Sequence, residues 1–141
     1  MSTVTSVTVR TEEGTDLRGA IALIVDDMVD TAGTIAKLVE ALLARGVSEA
    51  WVVATHAPLS GQAIPLLAAN ETVTRLIVTD ATPVSAAAKA ALGAKLRVVS
   101  IAPLLAAALA QMATPGGSLS ALFSAADGPC LQRLRSMAPL P

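Results

Sequence analysis

The sequence has few of the residues that build aromatic cores, disulfides or metal centres. Among 141 residues there are one Trp, one Phe, one His and one Cys, and there is no Tyr. The core must therefore be built from Ala, Val, Leu and Ile, and about a fifth of the chain is alanine. The lone Cys130 cannot form an internal disulfide, and one His with one Cys does not supply a dedicated zinc site.

The sequence also lacks a charge excess and long apolar runs. Ten Lys plus Arg against eleven Asp plus Glu give a net charge of −1, and there is no basic block, so no nucleic-acid partner is predicted. The longest apolar stretches, 21–25 and 101–110, fall short of the roughly 18 residues that cross a bilayer. Residues 1–10 do not resemble a secretory signal, so we predict a cytoplasmic protein.

The hydrophobic content of 53% is ample for a folded domain, and its spacing predicts alternating strands and helices. This order indicates an α/β fold in which helices flank both faces of a parallel sheet. We predict one domain over 1–123, with a weakly extended segment at 3–10, and a loosely ordered tail over 124–141. The predicted strands are 20–25, 50–55, 75–79 and 95–100. One predicted helix starts near residue 35, and three more span 63–69, 85–92 and 102–112.

Ligands of open parallel sheets bind beyond the carboxyl ends of the strands, which directs attention to 26–34, 56–61 and 80–85. The first of these segments carries an acid pair, Asp26 and Asp27, and then a small-residue turn before a helix. Ala32 and Gly33 allow a ligand to approach the backbone, and amides at the helix start can donate to a phosphate. The acid pair suits sugar hydroxyls or hydrated Mg²⁺ instead, so the two halves together predict a phosphorylated sugar.

The alternative interpretation is structural. Asp30 or Thr31 could cap the helix, and Asp26 and Asp27 could be surface acids at a strand end. The alternative explains each residue singly, but the combination of strand, acid pair, later Asp and Thr-Ala-Gly-Thr turn favours a ligand site.

The segment from Ile24 to Thr34, Ile-Val-Asp-Asp-Met-Val-Asp-Thr-Ala-Gly-Thr, resembles the phosphoribosyl-pyrophosphate binding signature. That signature is shared by type I phosphoribosyltransferases and ribose-phosphate pyrophosphokinases. Three downstream segments, 54–63, 78–83 and 117–123, resemble the C-terminal domain of the pyrophosphokinases in order and spacing. The similarity covers about residues 8–123 and favours a pyrophosphokinase over a transferase.

The resemblance implies a type I phosphoribosyltransferase-like fold and a set of site residues. Asp26 and Asp27 would hold ribose hydroxyls of ribose 5-phosphate or phosphoribosyl pyrophosphate. A possible regulatory phosphate site would lie in the C-terminal segment. The 5-phosphate would be wrapped by Asp30, Thr31, Ala32, Gly33 and Thr34, and the regulatory site would use Ser118, Ser120 and Phe123.

In the family reaction, the 1-hydroxyl of ribose 5-phosphate attacks the β-phosphorus of ATP with Mg²⁺ as cofactor, which supplies nucleotide biosynthesis. A family subunit is a tandem of two related domains, and this sequence matches the second. ATP would therefore bind through a missing domain or a partner chain, so we assign no catalytic or metal-ligating residue and expect the chain to be inactive alone. Exposed apolar surface then predicts a homo-oligomer or a complex with a partner synthetase subunit.

Other functions remain open at this point. A non-catalytic regulatory subunit would use the same site without chemistry, and a phosphoribosyltransferase-type protein would share the first motif. A response-regulator receiver also has paired acids after a strand, but the loop glycine and the position of Lys95 fit it poorly. His56 has no second His or Cys beside it, and we assign it a structural or solvent-facing role.

Overall fold

The computed structural model describes residues 15–123, in which four parallel strands form one sheet. The strands lie side by side in the order of the sequence. They are β1 (Ile21–Met28), β2 (Glu49–His56), β3 (Val73–Thr79) and β4 (Leu96–Val99). The helices are α1 (Gly33–Leu43), α2 (Ala63–Ala69), α3 (Ala86–Leu92) and α4 (Ala102–Ala113), with 3₁₀ turns at Gly93–Lys95 and Leu119–Phe123.

The strand order determines where the helices pack. Consecutive parallel neighbours joined by right-handed crossovers place α1, α2 and α3 on the same face of the sheet. Their apolar sides and one face of the strands form a single core, in which Leu76, Val52 and Val39 are among the most deeply buried side chains. The prediction of an α/β fold with a parallel sheet flanked by helices is confirmed. The expectation of helices on both faces is not met within residues 15–99, where α1, α2 and α3 pack on one face.

The opposite face of β1 remains exposed. Side chains alternate between the two faces of a strand, so Leu23 and Val25 point away from Ile24, which is in the core. Leu23 is 62% and Val25 is 72% exposed. This apolar surface on β1 is available for contact with another polypeptide.

Sequence periodicity located the elements well, with one informative difference. The acid pair was expected after a strand that ends at residue 25, but β1 continues to Met28. The continuation is due to pairing with β2, because Asp26 pairs with Ala54 and Met28 with His56. Asp26 and Asp27 therefore belong to the strand itself.

The described residues 15–99 and 100–123 belong to two separate compact units. In the second unit, α4 carries Pro103 in its first turn and contacts the following 3₁₀ turn. The predicted segment 3–10, the tail 124–141 and Cys130 lie outside the described residues. Within residues 15–123, no helix is both long enough and apolar enough to span a bilayer.

Candidate functional site

The turn between β1 and α1 leaves the start of the helix open. Ala32 is the N-cap residue with φ 60° and ψ 3°, and no side chain makes a capping hydrogen bond. The structural alternative in which Asp30 or Thr31 caps α1 is therefore wrong. The first amides of a helix have no partner within the helix, so those of Gly33, Thr34 and Ile35 remain available to an anion.

A shallow concavity of about 120 Å³ lies at this turn. Typical small-molecule sites have about 300–1,000 Å³, so this one suits a single group such as a phosphate. Five of the predicted site residues line it: Asp26, Asp30, Thr31, Ala32 and Thr34. The other lining residues are Met28, Val29 and Ile35.

The two members of the acid pair are placed differently. Successive side chains of a strand point to opposite faces, and only Asp26 lines the concavity. The backbone N–H of Asp27 donates to Asp26 Oδ1 at 2.8 Å. Of the pair, Asp26 is thus the carboxylate that can meet a ligand held at the start of α1.

Gly33 is the first residue of α1, and the structure separates its role from that of Ala32. The left-handed conformation belongs to Ala32, whereas Gly33 has a negative φ. A Cβ added at Gly33 would meet only Thr31 Oγ1, at 3.8 Å. The fold therefore tolerates a side chain at Gly33, which is not among the residues that line the concavity.

The loop after β2 holds this turn in place. The backbone N–H of Val29 donates to the His56 carbonyl at 2.9 Å, and the N–H of Leu59 donates to the Val29 carbonyl at 3.2 Å. The Ser60 hydroxyl also donates to Asp30 Oδ1. Leu59 is buried and adopts φ 52°, a conformation that costs a branched L-residue energy and that these contacts support.

The imidazole of His56 connects β2 to the loop after β3. Its Nδ1 lies 3.0 Å from Thr82 Oγ1. Nearby, the Thr79 hydroxyl donates to the Thr55 carbonyl at 2.7 Å. The structural or solvent-facing role of His56 stays a prediction.

The predicted regulatory residues lie in the second compact unit. The Ser118 backbone N–H donates to the Gln111 side-chain carbonyl at 3.3 Å, and Ser120 is exposed in the 3₁₀ turn that also contains Phe123. The buried Leu122 anchors that turn. The regulatory phosphate site stays a prediction.

A polar cluster surrounds the Glu49 carboxylate at the start of β2. Hydrogen bonds from the Thr74 hydroxyl and from Trp51 Nε1 hold the pKa of Glu49 below its ordinary value. Arg75 lies over the Trp51 ring, 4.9 Å from its centroid. Glu49 begins β2, so this cluster lies at the amino end of the strand, away from the concavity.

Sequence analysis singled out 56–61 but did not assign Ser60 to the site. The sequence does contain a signal for Ser60, namely a Ser-Gly pair soon after β2. When β1 and β2 are parallel neighbours, the loops that follow them lie at the same edge of the sheet. The identity of its partner, Asp30, depended on the observed register and could not be read from spacing.

Comparison with known proteins gives consistent results. A family model described as "Phosphoribosyl synthetase-associated domain" matches residues 9–124. The chain is 44% identical over 119 residues to a ribose-phosphate pyrophosphokinase of Chromobacterium violaceum, covering 82% of this chain and 35% of that protein. It is 40% identical over 110 residues to ribose-phosphate pyrophosphokinase A of Dictyostelium discoideum, covering 77% of this chain and 33% of the relative.

A solved structure agrees with these sequences. The crystal structure of phosphoribosylpyrophosphate synthetase from Mycobacterium smegmatis matches with a TM-score of 0.61 and 36% identity, over 70% of this chain and 32% of that one. The chain spans about a third of the length of these relatives. The family resemblance is confirmed, and its assignment to a C-terminal domain stays a prediction.

Proposed function

Since the chain belongs to the phosphoribosyl synthetase-associated domain family, we propose that it binds ribose 5-phosphate or phosphoribosyl pyrophosphate at the turn between β1 and α1. The observation that carries this proposal is the uncapped start of α1 behind Ala32. Amides of Gly33 and Thr34 supply donors with the sign and geometry that a phosphate requires. The small concavity accepts that phosphate and leaves the rest of the sugar toward solvent.

The carboxylates complete the proposed ligand site. Asp26 lies in the concavity and accepts hydrogen bonds from ribose hydroxyls, and Asp27 beside it has the same assignment from the family resemblance. The hydroxyls of Thr31 and Thr34 add donors to the phosphate. Hydrogen-bond acceptors thus meet the hydroxyl end of the ligand, and hydrogen-bond donors meet its phosphate end.

The site also fits a magnesium ion shared with a bound ligand. Mg²⁺ is commonly held through one or two carboxylates together with substrate oxygens and water, and Asp26 and Asp30 both line the concavity. Within the described part of the chain, no group of three or more His, Cys, Asp or Glu side chains could hold a metal ion. When bound, Mg²⁺ would neutralise charge on a diphosphoryl group.

We propose that this binding serves phosphoribosyl pyrophosphate synthesis in the cytoplasm together with a synthetase subunit that supplies the ATP site. Copies of this chain would associate with one another without supplying that site. The relatives are about three times as long as the matched region. The exposed apolar face of β1, with Leu23 and Val25, is consistent with such an association. A regulatory subunit that binds the same ligand without chemistry remains the second candidate.

Titration of the ¹⁵N-labelled full chain with ribose 5-phosphate, with and without Mg²⁺, tests the binding proposal. Amide shifts should change most at 26–34. Gly33→Val should reduce affinity at least about 10-fold with little change in unfolding midpoint, because the side chain covers the helix amides without entering the core. The matched control is Ala86→Val, which places the same side chain at the exposed first residue of α3, outside the concavity.

Two results would contradict the proposal. Shifts confined to 118–123 would move the ligand to another site. Equal affinity of the Gly33→Val variant and the wild type would remove the role of the helix start.

A further inference from the structure

Ser60 makes a side-chain contact between two loops that are already joined by backbone hydrogen bonds. Val29 bonds to His56 and Leu59 through main-chain atoms. The Ser60 hydroxyl adds a bond to a single carboxylate oxygen, Asp30 Oδ1. The backbone hydrogen bonds already hold the loops together without Ser60. The Ser60 contact instead fixes the orientation of the Asp30 carboxylate.

The direction of the Asp30 carboxylate matters because of where it lies. Asp30 precedes the N-cap residue Ala32 by two positions, and α1 has no side-chain cap. Carboxylates are among the preferred caps of helix amides, and the helix dipole attracts them to this end. An Asp30 side chain without a tether can turn toward the amides of Gly33 and Thr34.

A carboxylate at those amides would interfere with a phosphate in two ways. It would accept the same hydrogen bonds, and its negative charge would repel the anion at short range. Keeping Asp30 bonded to Ser60 leaves the amides free and keeps the charge at a fixed distance.

We propose that Ser60 is a positioning residue that prevents Asp30 from capping α1 and thereby sets the affinity of the site for phosphorylated sugars. The inference rests on the proposed function, because it describes how the same site stays available to its ligand. Ser60 acts through Asp30 and does not itself need to contact the sugar phosphate.

Calorimetric titration of the full chain with ribose 5-phosphate measures the effect. Ser60→Ala should weaken binding about 3- to 10-fold, as expected for loss of one exposed hydrogen bond of typical strength. Ser60→Thr keeps the hydroxyl and should stay within about 2-fold of the wild type. Ser48→Ala is the matched control, because the Ser48 hydroxyl bonds the Ala20 carbonyl at 3.2 Å, outside the site.

A double-mutant cycle identifies the residue through which Ser60 acts. Asp30→Asn removes the competing charge, so adding Ser60→Ala in that background should cause no further loss of affinity. In the ligand-free chain, Ser60→Ala should also shift the amide resonances of Gly33 and Thr34, whereas Ser60→Thr should leave them in place.

The outcomes separate the two proposals. Wild-type affinity in Ser60→Ala, or an equal loss from Ser60→Ala with and without Asp30→Asn, overturns the positioning role. A wild-type chain that binds no ribose 5-phosphate overturns the proposed function instead. In that case unchanged Gly33 and Thr34 resonances in ligand-free Ser60→Ala overturn the positioning role as well, and shifted resonances support the restraint on Asp30.

Discussion

At the scale of single residues, the conformation of Ala32 is the feature that opens the site. Ala32 is left-handed and precedes the first residue of α1, which begins without a side-chain cap. Alanine has a Cβ that makes this conformation unfavourable by about 1–2 kcal/mol. Glycine adopts positive φ more readily than alanine, so nothing in the sequence indicated that Ala32, and not the adjacent Gly33, has this conformation.

Substitution by glycine at two positions of the same helix tests the conformation of Ala32. Ala32→Gly should not lower the free energy of unfolding, because relief of about 1–2 kcal/mol of left-handed strain offsets about 0.5–1 kcal/mol of added chain entropy. Ala36→Gly, inside α1, should lose about 1 kcal/mol without any such relief. Urea unfolding followed by circular dichroism measures both.

A third variant, at the same residue, should lower the free energy of unfolding. Ala32→Val should lose at least about 2 kcal/mol, since a β-branched side chain strongly disfavours positive φ and position 32 is buried. If Ala32→Gly destabilised the chain as much as Ala36→Gly, the left-handed conformation would not describe the molecule in solution.

At the scale of elements, hydrophobic spacing was enough to locate α1, α2 and α3 because each presents a regular apolar face to one core. It predicted α2 at 63–69, as observed. The ends of strands were less accessible, since β1 gains its last residues from pairing with β2 across acidic positions. Long-range pairing of this kind leaves no local signal at Asp26 or Asp27.

Lys95 shows a long-range contact that determines how an element ends. Its ammonium group donates to the carbonyls of Leu67, Ala68 and Asn70 at 3.2, 3.0 and 2.8 Å. These carbonyls lie at the C-terminus of α2, where the helix leaves acceptors without partners and where the dipole favours a cation. Sequence spacing placed Lys95 at the start of a strand and missed this contact.

Removing the ammonium group should therefore weaken the α2 end. Lys95→Met keeps most of the apolar stem and should lower the free energy of unfolding by about 1–3 kcal/mol. Lys89→Met, at an exposed position of α3, is the matched control and should change stability by less than about 0.5 kcal/mol. Equal midpoints for the two variants in urea would show that the three carbonyl contacts do not stabilise the helix.

At the scale of the whole molecule, the residues of the concavity bear on activity. None of its eight lining residues is basic. Diphosphoryl transfer depends on cations and on exact placement of ATP relative to the sugar hydroxyl. The proposed site would orient only one of the two substrates, and removal of even one charge-stabilising group commonly costs about 10²–10³ in rate.

We therefore expect no phosphoribosyl pyrophosphate synthesis by the purified chain alone. The measurement is AMP release from ATP in the presence of ribose 5-phosphate and Mg²⁺. In the same buffer, sedimentation velocity at micromolar concentration should show species above the monomer mass, because association covers the exposed apolar face of β1 that includes Leu23 and Val25.

Addition of a separately expressed N-terminal half of a pyrophosphokinase relative distinguishes the two candidate functions. A catalytic domain that lacks its ATP site should gain AMP release when that half is added, and Gly33→Val should abolish the gain. A regulatory subunit should bind ribose 5-phosphate but gain no activity. Turnover of about 1 s⁻¹ or more by the chain alone would contradict the need for a partner, because it requires that one chain contain every group the reaction uses. A clean monomer at all concentrations would contradict self-association through the exposed face of β1.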